Sequence, residues 1–404
     1  MFLALDIGTE VVKALICEAQ GKIAIVKGAG KQRQKLGDMQ SGAVMDIAGV
    51  IENANQAIEE AARHANGTPT DVIIGIAGEL VKGMTTRTTY VRKEPDIKID
   101  LSELKQIIHK VQWKSFEETR SQLAYETGYN EIDVKLVNSA IIDVRIDGYR
   151  VTNPIGFQGK EVQIAIFNAF APLVHFGALQ TIAAELDLNL MAITSEPYAV
   201  SRCLEDDDAT SQTHAIFIDV GGGTTDIAVV RNGSLEGTKM FTIGGRTFTK
   251  RLAGTLNISF QEAEEIKLAY SAGQLEKQSE KIVREAMEAD AEVWLAGTTL
   301  TLSEFYNVDI LPSKIYLCGG GCHLPEIKAA LETKSWLREL TFARQPVVSA
   351  ISPKQISHVK DATKRLIGPQ DITPMALANI GLELSGERHM LSTILQKVIR
   401  LMQI

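Results

Sequence analysis

Apolar positions along this chain follow two periods, and the switches between them mark out its elements. The opening run Phe2-Leu-Ala-Leu-Asp6 is short and apolar and ends in an acid, which predicts a buried strand. Residues 11–18 predict a second strand, and Gln20-Gly21 turns into a third over 22–26, so the chain opens as a β-meander. Residues 46–65 change to helical spacing, with Ile47, Val50, Ile51, Ala54, Ile58, Ala61 and Ala62 on one face. Val72-Ile-Ile-Gly-Ile then reads as another buried strand.

Residues 79–162 have a different texture. Residues 85–90 and 134–146 are strand-like, and Asp100 caps a helix that runs through Ile107, Ile108 and Val111. Ile146-Asp-Gly-Tyr149 is a two-residue hairpin signal. This stretch predicts a small α+β module inserted between elements of a larger fold. That fold resumes with a strand at 162–167, a helix at 173–186 and a strand at 190–194. Residues 205–212 are acidic and polar, the composition of a link between lobes. A strand at 215–219 repeats the design of the first. Helices are expected at 248–256, 260–271 and 278–294, a strand at 314–318 and a last helix at 373–384. Strand, Asp, glycine, threonine, strand thus occurs twice, at residue 6 and at residue 219, which predicts a duplicated architecture.

Composition narrows the class. With 404 residues the chain exceeds one ordinary core, and 45% hydrophobic against 23% charged residues makes it globular. A net charge of -8 argues against sequence-independent nucleic-acid binding. No charged leader precedes the first strand, and no apolar run approaches the roughly 20 residues that span a bilayer, so the expected location is cytoplasmic. The four cysteines lack a secreted disulfide spacing. Cys318 and Cys322, with His323, raise a zinc site, but the three glycines between them are better explained by a turn.

The chemistry lies in the loops after the repeated strands. In Asp6-Ile-Gly-Thr9 a strand delivers Asp6 to its carboxyl end, and Gly8 lets the backbone approach a phosphate. Thr9 and local N–H groups supply donors, and Lys13 supplies positive charge. The same pattern also suits an ordinary hairpin. In Asp219-Val-Gly-Gly-Gly-Thr-Thr-Asp226, three glycines between apolar strands are costly without a close approach to explain them. Gly221, Gly222 and Gly223 fit a phosphate chain, Thr224 and Thr225 add donors, and a plain Gly-rich turn is the alternative. Asp6 and Asp219 suit a water-mediated magnesium ion. Gly319, Gly320 and Gly321 offer a flat backbone to a base or ribose. Glu264 and Lys267, three apart on a helix, either bracket a ribose or form a surface salt bridge.

In this order the pieces resemble the actin, sugar-kinase and heat-shock-chaperone ATPase superfamily. Its first phosphate loop is similar to Asp6 to Lys13, its first connecting segment to Ser195-Glu-Pro-Tyr-Ala199 and its second phosphate loop to Asp219 to Asp226. Its adenosine motif is similar to Gly319–Gly321 and its second connecting helix to Pro374-Met-Ala-Leu-Ala-Asn-Ile-Gly381. The likeness covers nearly the whole chain. It implies an α/β, actin-like ATPase fold with duplicated ribonuclease-H-like lobes, and ATP with Mg2+ as ligands. The layout expected is a first lobe at 1–78 and 163–212 interrupted by the module at 79–162. A second lobe follows at 213–246, 247–312 (its nucleotide-side subdomain) and 313–364, then a return helix at 365–385 and an amphipathic tail at 386–404.

Within the superfamily the chain most resembles the FtsA family, bacterial division proteins that tether FtsZ filaments to the membrane. The likeness is carried by Asp6-Ile-Gly-Thr-Glu-Val-Val-Lys13, Gly42 to Asp46, Asn153-Pro154 to Gly159, Ile243-Gly-Gly-Arg246 and Ala263-Glu264 to Lys267, and by the position of the inserted module. It implies filaments of this chain with itself, the FtsZ C-terminal peptide as partner, and peripheral attachment to the inner face of the membrane at the division site. Glu196, in a Glu-Pro pair, is similar to MreB and the chaperones, where a polar group orients the attacking water, so slow ATP hydrolysis with Glu196 and Asp219 as catalytic groups is chemically open. In the tail, Leu391, Ile394, Leu395, Val398 and Met402 recur at helical spacing, with Lys397 and Arg400 among the other positions and no acid from 390 to 404. That composition suits a helix lying on an anionic membrane, or one packed on the protein body. PilM-type pilus adaptors share the inserted module and form the alternative. A sugar kinase is disfavoured, because no segment resembles that family's substrate site.

Overall fold

The computed structural model describes residues 1–65, 67–78, 81–127, 134–204, 213–386 and 393–395. The chain opens with the expected meander, β1 (Phe2–Ile7), β2 (Val11–Gln20) and β3 (Ile23–Arg33), followed by a small hairpin of β4 (Met39–Gln40) and β5 (Ala43–Val44). Helix α1 (Ile47–Ala65) buries Val50, Ala54, Ala57, Ile58 and Ala61 against the sheet, because these recur every three to four residues. Strand β6 (Asp71–Ile76) follows.

The inserted module holds β7 (Lys82–Val91), α2 (Leu101–Thr127), β8 (Val134–Ile146), β9 (Tyr149–Arg150) and β10 (Glu161–Pro172). The β8–β9 turn uses positive φ at Asp147 and Gly148, as the two-residue hairpin signal requires. Residue 162 lies just inside β10, which pairs with β7 and β8 along its length to Pro172. The module has its own core, in which Leu104, Ile107, Ile108 and Val111 of α2 meet Val144, Val162 and Ile164. Ile394 and Leu395 of the tail are buried in that same core. Apart from 393–395, the tail beyond Gly386 lies outside the described residues, as does the acidic stretch 205–212.

Next come α3 (Leu173–Glu185), β11 (Asn189–Ser195) and α4 (Glu196–Ser201). The second half begins with another meander, β12 (Ala215–Val220), β13 (Thr225–Arg231) and β14 (Ser234–Phe241). Helices α5 (Gly245–Leu256), α6 (Phe260–Ser271) and α7 (Lys277–Ser303) follow, then β15 (Lys314–Cys318), α8 (Pro325–Glu332), β16 (Val347–Ala350), β17 (Val359–Asp361) and α9 (Ile372–Ser385). Helix α6 starts at a capping box between Ser259 and Glu262.

The duplication is visible in the sheets. One has the order β11-β6-β1-β2-β3-β17, and the other begins β16-β15-β12-β13-β14 before it continues into the module as β7-β10-β8-β9. In both, the meander is antiparallel and the two following strands pair parallel. The registers match as well: Asp6 stands opposite Lys13, and Asp219 stands opposite Asp226. Helix α9 lies between the halves with almost every residue buried, and it packs with α4 in a core shared by both sheets. Among the described residues, no helix is long and apolar enough to cross a membrane.

Candidate functional site

Two meanders of one design, facing each other, put both first-strand termini at a single cleft. A cavity of about 750 Å³ opens there, within the range of small-molecule and cofactor sites. Of the residues singled out from the sequence, Asp6, Gly8, Thr9, Lys13, Glu196, Asp219, Gly221, Gly222, Thr224, Glu264, Lys267, Gly319, Gly320 and Gly321 all line it. Gly223 does not line the cavity. It lies against Thr9, so that a Cβ there would sit 2.9 Å from the Thr9 methyl.

The floor is rich in carboxylates. Asp6 accepts an ion pair from Lys13 at 3.0 Å. Asp219 accepts a hydrogen bond from the Thr373 hydroxyl at 2.5 Å, so α9 is tied to the second loop. Asp226 accepts from Thr224 Oγ1 at 3.2 Å. Glu196 enters from the first turn of α4, pressed so closely on Gly75 that a Cβ there would meet Glu196 Oε1 at 2.5 Å. Burial, followed by the fields of Asp6, Asp226 and Asp219, holds the Glu196 carboxyl well above the ordinary carboxylate range. Burial and the field of Asp219 push Asp226 up to about 8. Burial also raises Asp219, against the hydrogen bond from Thr373. Lys13 is the counterpart: burial opposes its charge, but Asp6, Asp219 and Asp371 more than offset this and hold the ammonium above its ordinary value. Among the described residues no three carboxylates, histidines or cysteines are grouped closely enough to ligate a metal directly, so a magnesium ion accompanying nucleotide phosphates would be held through water by Asp6 and Asp219, which both act on this lysine.

Farther along the cleft, Glu264 and Lys267 pair at 2.7 Å. They are not a surface salt bridge, since both are buried. Lys267 also donates to Gly245 O and to Thr249 Oγ1, and Thr249 donates in turn to Glu264, so the pair is held in one position. Leu268, Ser271, Ala272, Leu324, Ile367 and Gln370 also line the cavity, as do Gly319–Gly321.

Thr225 departs from the expectation that it adds a phosphate donor. It is buried, donates to Ile243 O and accepts from Trp294 Nε1 at 2.9 Å. The strand's alternation turns Thr224 to the cleft and Thr225 to the core. Asp226 closes the second loop motif and stands opposite Asp219 in the β12–β13 register, which brings it into the cluster. Glu10, Arg33 and Arg246 also border the site, and an arginine after the pair Gly244-Gly245 was the sequence signal available for one of them.

Gly319 shows why the third loop needs glycine. Its backbone, at φ 83 and ψ 165, lies in a region held almost only by glycine. A Cβ there would sit 2.1 Å from Asp219 Oδ1. Gly319→Ala is expected to lower the urea stability by roughly 2–3 kcal/mol and to weaken nucleotide binding. An unchanged unfolding midpoint would show that this loop relaxes freely.

The family model of the cell division protein FtsA matches residues 216–369. The sequence is FtsA-like. The FtsA of Neisseria meningitidis serogroup B is 29% identical over 268 residues, which cover 66% of this chain and 60% of that protein. The FtsA of Bacillus subtilis is 24% identical over 314 residues, covering 76% and 66%. The chain therefore spans somewhat under two thirds of the length of these FtsA relatives. Among solved structures, a PilM–PilN type IV pilus biogenesis complex superposes with a TM-score of 0.66 at 18% identity, over 94% of this chain and 98% of that one. That likeness bears out the actin-like ATPase fold. The FtsA match covers β13, β14 and most of β12 with α5 to α8, so it contains the loop at 219–226, the Glu264–Lys267 pair and Gly319–Gly321.

Proposed function

We propose that this chain is an ATP-binding, filament-forming scaffold of bacterial cell division that links FtsZ filaments to the membrane. The observation that carries the nucleotide part is the cleft, where duplicated hairpins aim Asp6 and Lys13 from one side and Asp219 and Asp226 from the other. ATP would lie with its phosphates along the two loops, its ribose at Glu264 and Lys267 and its base beside Gly319–Gly321. Mg2+ would be held through water by Asp6 and Asp219. The division role is supported by the FtsA matches, and filaments of the chain with itself and capture of the FtsZ C-terminal peptide are part of that reading. The protein would then work at the inner face of the membrane at the division site.

Membrane attachment falls to the tail, whose apolar positions would enter an anionic surface beside Lys397 and Arg400. Ile394 and Leu395 are already sheathed by the inserted module, so lipid binding requires them to leave it. A vesicle-sedimentation assay with anionic lipid, ATP and a labelled FtsZ C-terminal peptide tests the whole reading. The full chain should pellet with vesicles and carry the peptide, and a chain ending at residue 386 should stay in the supernatant. A full chain that never pellets would remove the tether. That outcome would favour a PilM-like adaptor of type IV pilus assembly, which the PilM-like fold over 94% of the chain also supports.

A further inference from the structure

The two halves touch through a contact that the nucleotide reading does not use. Arg246 is the second residue of α5, in the second half of the chain. Its backbone N–H donates to Gly222 O at 2.8 Å, and that of Gly245 donates to Gly221 O at 2.9 Å, so the helix start is pinned to the second phosphate loop. The side chain then reaches across to the first half. Arg246 Nε donates to Glu10 Oε2 at 2.7 Å, Nη2 to Thr9 O at 2.7 Å and Nη1 to Met39 O at 3.0 Å. One guanidinium therefore holds a carboxylate and two carbonyls that belong to the opposite loop and to β4, with only 12% of its side chain exposed.

Glu10 is held from its own side as well. Arg33 of β3 pairs with Glu10 Oε1 at 2.7 Å, and the same guanidinium approaches Glu264 Oε1, in the second half, at 3.7 Å. Beneath these pairs the loops meet directly. A Cβ on Gly222 would sit 2.8 Å from Glu10 Cβ, and one on Gly223 would sit 2.9 Å from Thr9 Cγ2. The cleft is thus closed along the edge where the two phosphate loops meet.

We infer that Arg246 is an interlobe latch, a positioning residue that keeps the phosphate loops closed and so sets how fast a nucleoside triphosphate enters and leaves. The inference rests on the nucleotide reading for its ligand and on the structure alone for the latch. Closure joins Thr9 and Glu10 to Gly222 and Gly223, so parting the loops requires all of the Arg246 bonds to break together. The planar fork of arginine reaches three acceptors in different directions, which a lysine ammonium on a flexible stem does not reproduce. Arg246→Met should therefore loosen the closed edge while leaving every proposed nucleotide ligand in place.

Stopped-flow binding of a fluorescent ATP analogue with Mg2+ supplies the first test. In Arg246→Met both rate constants should rise, dissociation by roughly tenfold or more, so that affinity falls by less than the dissociation rate increases. Arg246→Lys should lie between the variant and the parent. Simple structural damage would not speed association, so an association rate that is unchanged or slower in the methionine variant overturns the latch. A second readout needs no nucleotide. Nitroxides at Asn55→Cys on α1 and Glu292→Cys on α7, both exposed positions, should report a narrow distance distribution in the parent background and a longer or broader one with Arg246→Met. An identical distribution also overturns the latch. A parent protein that fails to bind the analogue would refute the nucleotide reading instead, and the distance measurement would still decide the latch.

Discussion

Asp219→Asn is expected to raise the melting temperature of the nucleotide-free protein at pH 8 while abolishing magnesium-dependent ATP binding. The cleft gathers Asp6, Glu196, Asp219 and Asp226, and three of these carry carboxyls raised above their ordinary values, with burial as the largest cause and neighbouring carboxylates adding to it. The sign follows from linkage. An acid with a raised value keeps its proton in the folded state at pH values where the unfolded chain has released it, so stability falls as pH rises through that interval. For Asp226 the interval runs from its ordinary value of 3.8 to about 8. The stability cost is absent below the interval, grows across it and is complete above it. Removing the charge of Asp219 takes away a cause of elevation at both Asp226 and Glu196. The gain should be roughly 2 °C at pH 8, the scale expected for one to two kcal/mol in a chain of 404 residues, and smaller at pH 5. Thermal melts at both pH values, with and without Mg2+ and ATP, provide the check. The parent should be strongly stabilised by the ligand and the variant hardly at all. Parental affinity in the variant would remove Asp219 from the metal site, and an unchanged melting temperature at pH 8 would remove the crowding argument.

Local features of the sequence carried much of this architecture. The first meander, α1, α6 and β8 are legible because their apolar residues keep one period and their ends carry turn or cap residues. The duplication is legible because Asp, glycine and threonine recur after two apolar strands. Strand β14 is less so, since Ser234–Phe241 contains Glu236, Gly237 and Lys239, which read as a loop. In the folded protein Glu236 is buried and paired with Arg87 and Arg231, partners distant or on another strand. The short strands β16 and β17 depend on pairing with β15 and β3 rather than on their own pattern. At the site, glycines and acids next to strand ends were readable. The latch around Glu10 was not, because Arg246 lies 236 residues away in sequence and no local pattern encodes such a contact. The direction of Thr225 was likewise decided by Trp294 and Ile243, which reach it only through tertiary packing.

Glu196→Gln is expected to lower the rate of the proposed ATP hydrolysis by about 100-fold or more, the scale of a lost general base, while nucleotide affinity stays within threefold. The side chain is well placed for that role. It leaves the end of β11 at the first turn of α4, is packed against Gly75 and faces the cavity that holds Asp6 and Asp219. Its carboxyl is raised by burial first and then by Asp6, Asp226 and Asp219, so without a cation the proton is retained to higher pH than in an ordinary glutamate. A base must be deprotonated to act, and turnover should therefore rise with pH. Bound Mg2+ brings positive charge to the same carboxylates and favours loss of the proton, so the rise should begin at lower pH as Mg2+ increases. In Glu196→Gln the remaining slow rate should show no such limb. A flat profile in the parent, or a glutamine variant that turns over within threefold of it, would remove Glu196 from the chemistry. The inserted module touches the segment that carries Glu196. Asn138 of β8 accepts a hydrogen bond at 2.6 Å from the Ser195 N–H, one residue before Glu196. A displacement of the module on assembly would be transmitted through that bond to Glu196, so assembly should change turnover in the parent and change it much less in an Asn138→Ala protein, with Glu196→Gln slow in both the free and the assembled state.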